Sequence, residues 1–129
     1  MNKETMQNMT AVELEAYANS LGFTLKAAKD KADKIDLIQR RRAREVAVPV
    51  LGIELVVSVK RFRNSRFIDV INDPNHTAAQ LCAAFESLLG EEQYGRLVAA
   101  CTEDDGELDE DALAFAFATI IKSDELKKY

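Results

Sequence analysis

Between about Arg42 and Val46 the hydrophobic period of this 129-residue chain changes from that of a helix to that of a strand. Upstream, Leu14, Tyr17, Ala18 and Leu21 recur three and four apart, and Ile35, Leu37 and Ile38 supply a second apolar side. Downstream, Val46, Val48 and Val50, then Ile53, Leu55, Val57 and Val59, recur at every second place. One segment cannot keep both periods, so the element type must change there. A single uninterrupted helical bundle is thereby excluded. The expected fold class is mainly α with a small β-hairpin (α+β). Residues 1–45 form an N-terminal helix–extension–helix module, and residues 46–129 a small helical domain that begins with the hairpin.

Local punctuation sets the helices. Thr10-Ala-Val-Glu13 is a capping box, which predicts a helix that Gly22 ends in a position suited to positive φ. Residues Thr24 to Lys29 read as an extended link. Asp30 caps a second helix, which runs into Arg40, Arg41, Arg42 and Arg44, cations suited to a helix C-terminus. The two β segments, Val46 to Val50 and Ile53 to Val59, flank a Leu51-Gly52 turn, and Pro49 makes the first an edge strand. Asn64 or Ser65 caps a short helix through Phe67, Ile68 and Ile71 that Asp73-Pro74-Asn75 stops. Thr77-Ala-Ala-Gln80 is a second capping box, and Gly90 closes its helix. A short helix with Tyr94, Leu97, Val98 and Cys101 on one face follows. After an acidic loop, Glu103 to Glu107, comes a helix capped by Asp109, with Leu108 and Leu113 placed as a hydrophobic staple. The last stretch, KSDELKKY, has little to bury and is expected to fray.

The inventory of reactive groups points away from catalysis. The single histidine, His76, stands in a turn without a paired nucleophile, and no phosphate-binding glycine loop or Cys-x-x-Cys is present. His76, Cys82 and Cys101 are too few and too poorly spaced for zinc. The acidic loop fails as a calcium site. Placing Gly106 at the sixth position puts Cys101 at the first and Ala112 at the twelfth, where carboxylates are required. Neither an enzyme nor a cofactor is expected. Apolar runs are broken by Pro49, Gly52, Glu54 and Ser58, so no membrane span is expected. With no secretory signal visible and both cysteines on apolar helix faces, a cytoplasmic location is expected. The formal charge of −5 is uneven: residues 1–45 carry +2, residues 46–70 carry +2 and residues 71–129 carry −9. The two ends therefore offer different fields to partners.

Two groups of residues are candidates for contact with partners. The apolar stripes at Leu81, Phe85 and Leu88, and at Leu113, Phe117, Ile120 and Ile121, suit either a protein partner or the core. Lys26, Lys29, Lys31 and Lys34, with Arg40, Arg41, Arg42 and Arg44, suit either phosphate contact or a solvated helix end.

Residues 9–44 resemble the helix–extension–helix modules of the SAP and LEM-like group. The resemblance is carried by Met9-Thr-Ala-Val-Glu-Leu-Glu-Ala-Tyr-Ala, Leu21-Gly-Phe-Thr-Leu25 and Lys34-Ile-Asp-Leu-Ile38. It implies a module that docks either DNA or protein. Residues 46–129 resemble tail assembly chaperones of long-tailed bacteriophages and prophages. Here the order of parts and the string Leu88-Leu-Gly-Glu-Glu-Gln-Tyr94 carry the likeness. That resemblance implies a non-enzymatic protein in the bacterial host cytoplasm that coats the tape measure protein during tail morphogenesis. Two further functions stay open: a DNA-binding protein using the first module and the arginine run, and a structural tail or head-completion subunit. Self-association is compatible with each of the three.

Overall fold

Thr10 Oγ1 accepts the Glu13 amide at 3.1 Å, and Glu13 Oε1 accepts the Thr10 amide at 3.3 Å, in the computed structural model, which describes residues 1–128. The capping box thus starts α2 (Ala11–Ser20), which follows a short α1 (Lys3–Asn8) and precedes α3 (Lys31–Arg42). At its end the Phe23 amide donates back to the Ala18 carbonyl at 3.1 Å, and Gly22 takes φ 95°. Few side chains tolerate that conformation, and glycine does so freely. Phe23 and Leu25 point inward and Thr24 outward, but the link is not extended throughout: the Ala28 amide donates to the Leu25 carbonyl at 3.0 Å and closes a turn at Lys26 and Ala27. Asp30 then accepts the Asp33 amide and starts α3.

The unit Met1–Arg44, with Lys128, closes around Leu14, Ala18, Ile35 and Ile38, joined by Met6, Phe23 and Leu25. The periodicity does not foresee α1. Asn2 caps it by accepting the Thr5 amide at 2.8 Å, and its one buried residue, Met6, anchors it against α3.

The unit Glu45–Lys127 begins with β1 (Glu45–Val50) and β2 (Ile53–Ser58), paired antiparallel from Val50↔Ile53 to Glu45↔Ser58. Leu51 (φ 49°) and Gly52 (φ 78°) both take positive φ, the signature of a type I′ turn. Val48, Val50, Leu55 and Val57 lie on the buried face, and Ala47, Pro49, Glu54 and Val56 on the exposed one. The second strand is shorter than the alternation suggests. Ser58 Oγ accepts the Arg61 amide and turns the chain into α4 (Val59–Phe62), so Val59 is helical.

Four helices follow with the caps expected of them: α5 (Ser65–Asn72) on Asn64, α6 (Ala78–Leu89) on the Thr77/Gln80 box, α7 (Glu91–Ala100) after Gly90, and α8 (Glu110–Ile121) on Asp109. Leu108 remains 41% exposed while Leu113 is buried. A line of rings runs through this core. Phe62 lies 5.7 Å from Phe67, Phe67 stands edge-on to Phe85 at 5.2 Å, and Phe85 stacks on Phe117 at 3.9 Å between centroids. An edge-on contact such as that of Phe67 with Phe85 adds roughly 0.5–1.5 kcal/mol beyond burial.

The expected fraying is overturned for Asp124–Lys127. That segment is a helical turn, α9, which packs on α4 and buries Leu126 completely. Arg63 Nη2 also donates to the Lys127 carbonyl at 2.5 Å. Tyr129 lies outside the described residues. Among those described, nine helices and one two-stranded sheet make the fold mainly helical α+β. None of these helices is long and apolar enough to cross a membrane.

Candidate functional site

The apolar stripes of α6 and α8 are mostly interior. Phe85, Leu88, Leu113, Phe117 and Ile120 are buried, and Leu81 and Ile121 are half-buried. In this fold the first five are spent on the core, for the ordinary reason that an amphipathic helix turns its apolar side inward. A partner meeting the folded chain therefore has to read mainly other side chains, with Leu88 reached only at the bottom of a groove.

The cations of the first unit are largely engaged within it. Lys34 bridges to Glu15 at 3.0 Å and Arg40 to Asp36 at 2.8 Å. Lys31 Nζ donates to the Gln7 carbonyl at 2.5 Å, and Arg42 Nη1 to the Tyr17 hydroxyl at 2.7 Å. The Arg41 guanidinium lies 5.6 Å from the centre of the Phe23 ring, a cation–π distance. Arg44 donates to the Lys128 carbonyl. Lys26 and Lys29 are exposed, and their ammonium groups make no hydrogen bond or ion pair with a described residue. The fold thus uses six of the eight candidate cations to tie its own segments together.

An open groove lies between α5 and α6. It has a volume of about 640 Å³ and is lined by Arg66, Phe67 and Val70 from α5, by Gln80, Ala83, Ala84, Ser87 and Leu88 from α6, and by Arg61 of α4 and the cap residue Asn64. Its α6 wall follows helical spacing, and alanines and a serine at its centre let another backbone approach closely. Phe67 and Leu88 are buried and Val70 half-buried, so they form an apolar floor. Arg61 and Arg66 are exposed, and neither guanidinium has a hydrogen bond or ion pair to a described residue. The sequence shows the basic run Lys60 to Arg66, but not that two of its arginines line an apolar groove. That juxtaposition depends on how α5 lies against α6.

Gln93, inside the string Leu88 to Tyr94, ties the start of α7 to β2 and to the end of α6. Its Oε1 accepts the Val56 amide at 2.7 Å, and its Nε2 donates to the carbonyls of Val56 and Leu89, each at 2.8 Å. The next residue, Tyr94, has its hydroxyl beside both cysteines. Burial first, then a hydrogen bond with Cys82 and the charges of Cys82, Glu86 and Cys101, push its pKa up to about 12. Burial, then the nearby Asp109 carboxylate, raises the Cys101 thiol as well. Both cysteines are free thiols. His76 Nδ1 lies 2.7 Å from the Asp73 carbonyl and fastens the turn before α6.

Among the described residues, no group of three or more His, Cys, Asp or Glu side chains is placed to hold a metal ion. Neither protein-family models, nor curated proteins, nor solved structures give a match to this chain.

Proposed function

We propose that this chain is a non-enzymatic binding protein of the tail assembly chaperone kind, whose second unit holds a helical segment of a tape measure protein during tail morphogenesis. The groove between α5 and α6 carries the reading. An apolar floor flanked by small side chains is the surface that an amphipathic helix recognises, anchoring residues three and four apart. The order of elements in residues 46–129 and the Leu88 to Tyr94 string support the same assignment by resemblance. A client that is long, helical and apolar needs such a cover before the tail tube encloses it.

The DNA-binding reading draws less support. Arg40, Arg41, Arg42 and Lys34, which would have to meet phosphates, already have acidic or aromatic neighbours within their own unit.

Co-expression of the full chain with the longest coiled-coil-like protein encoded beside it tests the proposal. The chain should retain that protein and keep it soluble. Ala83→Arg, an exposed substitution in the groove wall, should abolish retention without changing the chain's thermal stability. If wild type retains nothing, and instead shifts duplex DNA with an affinity that collapses between roughly 50 and 200 mM salt, the DNA-binding function replaces this one.

A further inference from the structure

We infer that the groove between α5 and α6 accepts an amphipathic helix that carries carboxylates beside its apolar anchors, with Arg61 and Arg66 as the residues that select it. The inference rests on the groove being the docking surface proposed above, and it names the chemistry of the segment that docks.

The walls decide the form of the occupant. The α6 wall runs from Gln80 to Leu88, about 12 Å along a helix axis. A helix laid along it makes contact over about two turns, so its anchors are apolar side chains at places i, i+3 or i+4, and i+7. Ala83, Ala84 and Ser87 project little from that wall and leave room for the anchors, which reach the floor of Phe67, Val70 and Leu88. An extended peptide fits worse. Both walls are helices whose backbone groups are already paired, so the N–H and C=O groups of a strand would find no partners there.

Charge then narrows the choice of helix. The three helices α4, α5 and α6 carry two carboxylates between them, Asp69 and Glu86, and neither lines the groove. Two of their cations do, Arg61 from α4 and Arg66 from α5. The lining thus holds two positive charges and no negative one, on a chain whose net charge is −5. A guanidinium pairs with a carboxylate through two parallel hydrogen bonds, and a docked helix that displaces water strengthens the pair. A lysine in the same place on the docking helix meets like charge and is rejected. Phosphates would match the charge, but they bring no apolar face to the floor, so the groove suits an acidic helix better than a nucleic acid.

Three synthetic helical peptides of about 20 residues test this. They share one apolar stripe and carry Glu, Gln or Lys at the positions flanking it. Binding to the full chain is read by fluorescence anisotropy at about 0.1 M salt. The Glu peptide should bind about tenfold more tightly than the Gln peptide, the gain expected of two rim ion pairs, and the Lys peptide more weakly than either. That order runs against the net charge of the chain, which by itself favours the Lys peptide. Arg61→Ala with Arg66→Ala should bring the Glu peptide to within about twofold of the Gln peptide. The same variant should keep the wild-type affinity for the Gln peptide and the wild-type melting temperature, since both arginines are exposed. Ala83→Arg should abolish binding of all three peptides. Wild-type chain that binds none of them, or binds Glu and Gln peptides equally, overturns the inference, as does a Glu preference that survives in the double variant. Displacement of the Glu peptide by duplex DNA at comparable concentration overturns it too, because phosphates would then be what the two arginines prefer. The proposed function fails separately: a chain that shows the expected peptide order yet retains no client on co-expression keeps this selectivity and loses the chaperone assignment.

Discussion

The side-chain amide of Gln93 hydrogen-bonds both backbone groups of Val56, 37 residues away, as a neighbouring strand would. In a two-residue hairpin Val50 and Ile53 form the first bonded pair, so Val56 and Ala47 form a pair whose N–H and C=O groups point away from each other. On β2 those outward groups are covered by Gln93. On β1 the outward position at Pro49 has no N–H to offer. Both edges of the sheet are thus blunted, one by a side chain and one by a missing donor. Gln93→Leu should therefore destabilise the second unit by about 1–3 kcal/mol, the cost of leaving such groups unpaired. Faster hydrogen exchange at the Val56 amide checks it.

Gln93→Glu separates the two halves of that clamp. An ionised carboxylate would face the Val56 and Leu89 carbonyl oxygens where Nε2 now donates. That opposition raises the folded-state pKa of the introduced acid above its unfolded value, near 4.3 for glutamate. Stability is then present at pH below the unfolded value and is lost as pH rises through the folded one. Urea midpoints for this variant should fall from acidic to neutral pH, relative to wild type over the same range.

Leu51 occupies the first position of a type I′ turn at φ 49°, a conformation that costs most L-residues roughly 1–2 kcal/mol. Leu51→Asn gives the Asn-Gly pair that this turn prefers, and Leu51 is already 37% exposed, so little apolar burial is lost. The substitution should raise stability by about 1 kcal/mol, read as a higher urea midpoint at unchanged slope.

Features that act over three or four residues were legible in the sequence. Both capping boxes, the Gly22 ending, the Asp30 and Asp109 caps and the Leu51-Gly52 turn each depend on neighbours within one turn of chain. The short helices α1, α4 and α9 were not, because six residues or fewer carry no measurable period. Their stability comes from the packing of Met6, Phe62 and Leu126, which is tertiary. The candidate site divides the same way. The stripes at Phe85 and Phe117 were visible, but whether a stripe faces core or partner depends on what stacks on it, and here the two rings stack on each other. Arg61 and Arg66 were visible as basic residues, and the groove that gives them a setting was not.

Leu126 and Phe115 show how far prominence in the sequence departs from energetic weight. Leu126, in a charged tail, is fully buried, whereas Phe115, inside an apolar helix, is 62% exposed. Leu126→Ala should cost about 2–5 kcal/mol, the range for emptying a packed leucine site. Phe115→Ser should stay within about 0.5 kcal/mol of wild type, as exposed substitutions generally do. Chemical denaturation of the two variants side by side decides it.

Tyr94 gives the fold an alkaline limit. Its phenol is held protonated up to about 12, against about 10 for an ordinary tyrosine, chiefly by burial and then by Cys82, Glu86 and Cys101. A raised folded-state pKa means that the unfolded chain releases this proton first. The contribution to stability is complete below about pH 10 and drains away as pH climbs towards about 12. Lysines lose their charge over part of the same range, so the informative quantity is the difference between wild type and Tyr94→Phe. That difference should narrow steadily above pH 10, because the phenylalanine variant has no proton to lose at this position. A gap that stays constant to pH 12 would place the phenol in ordinary contact with water.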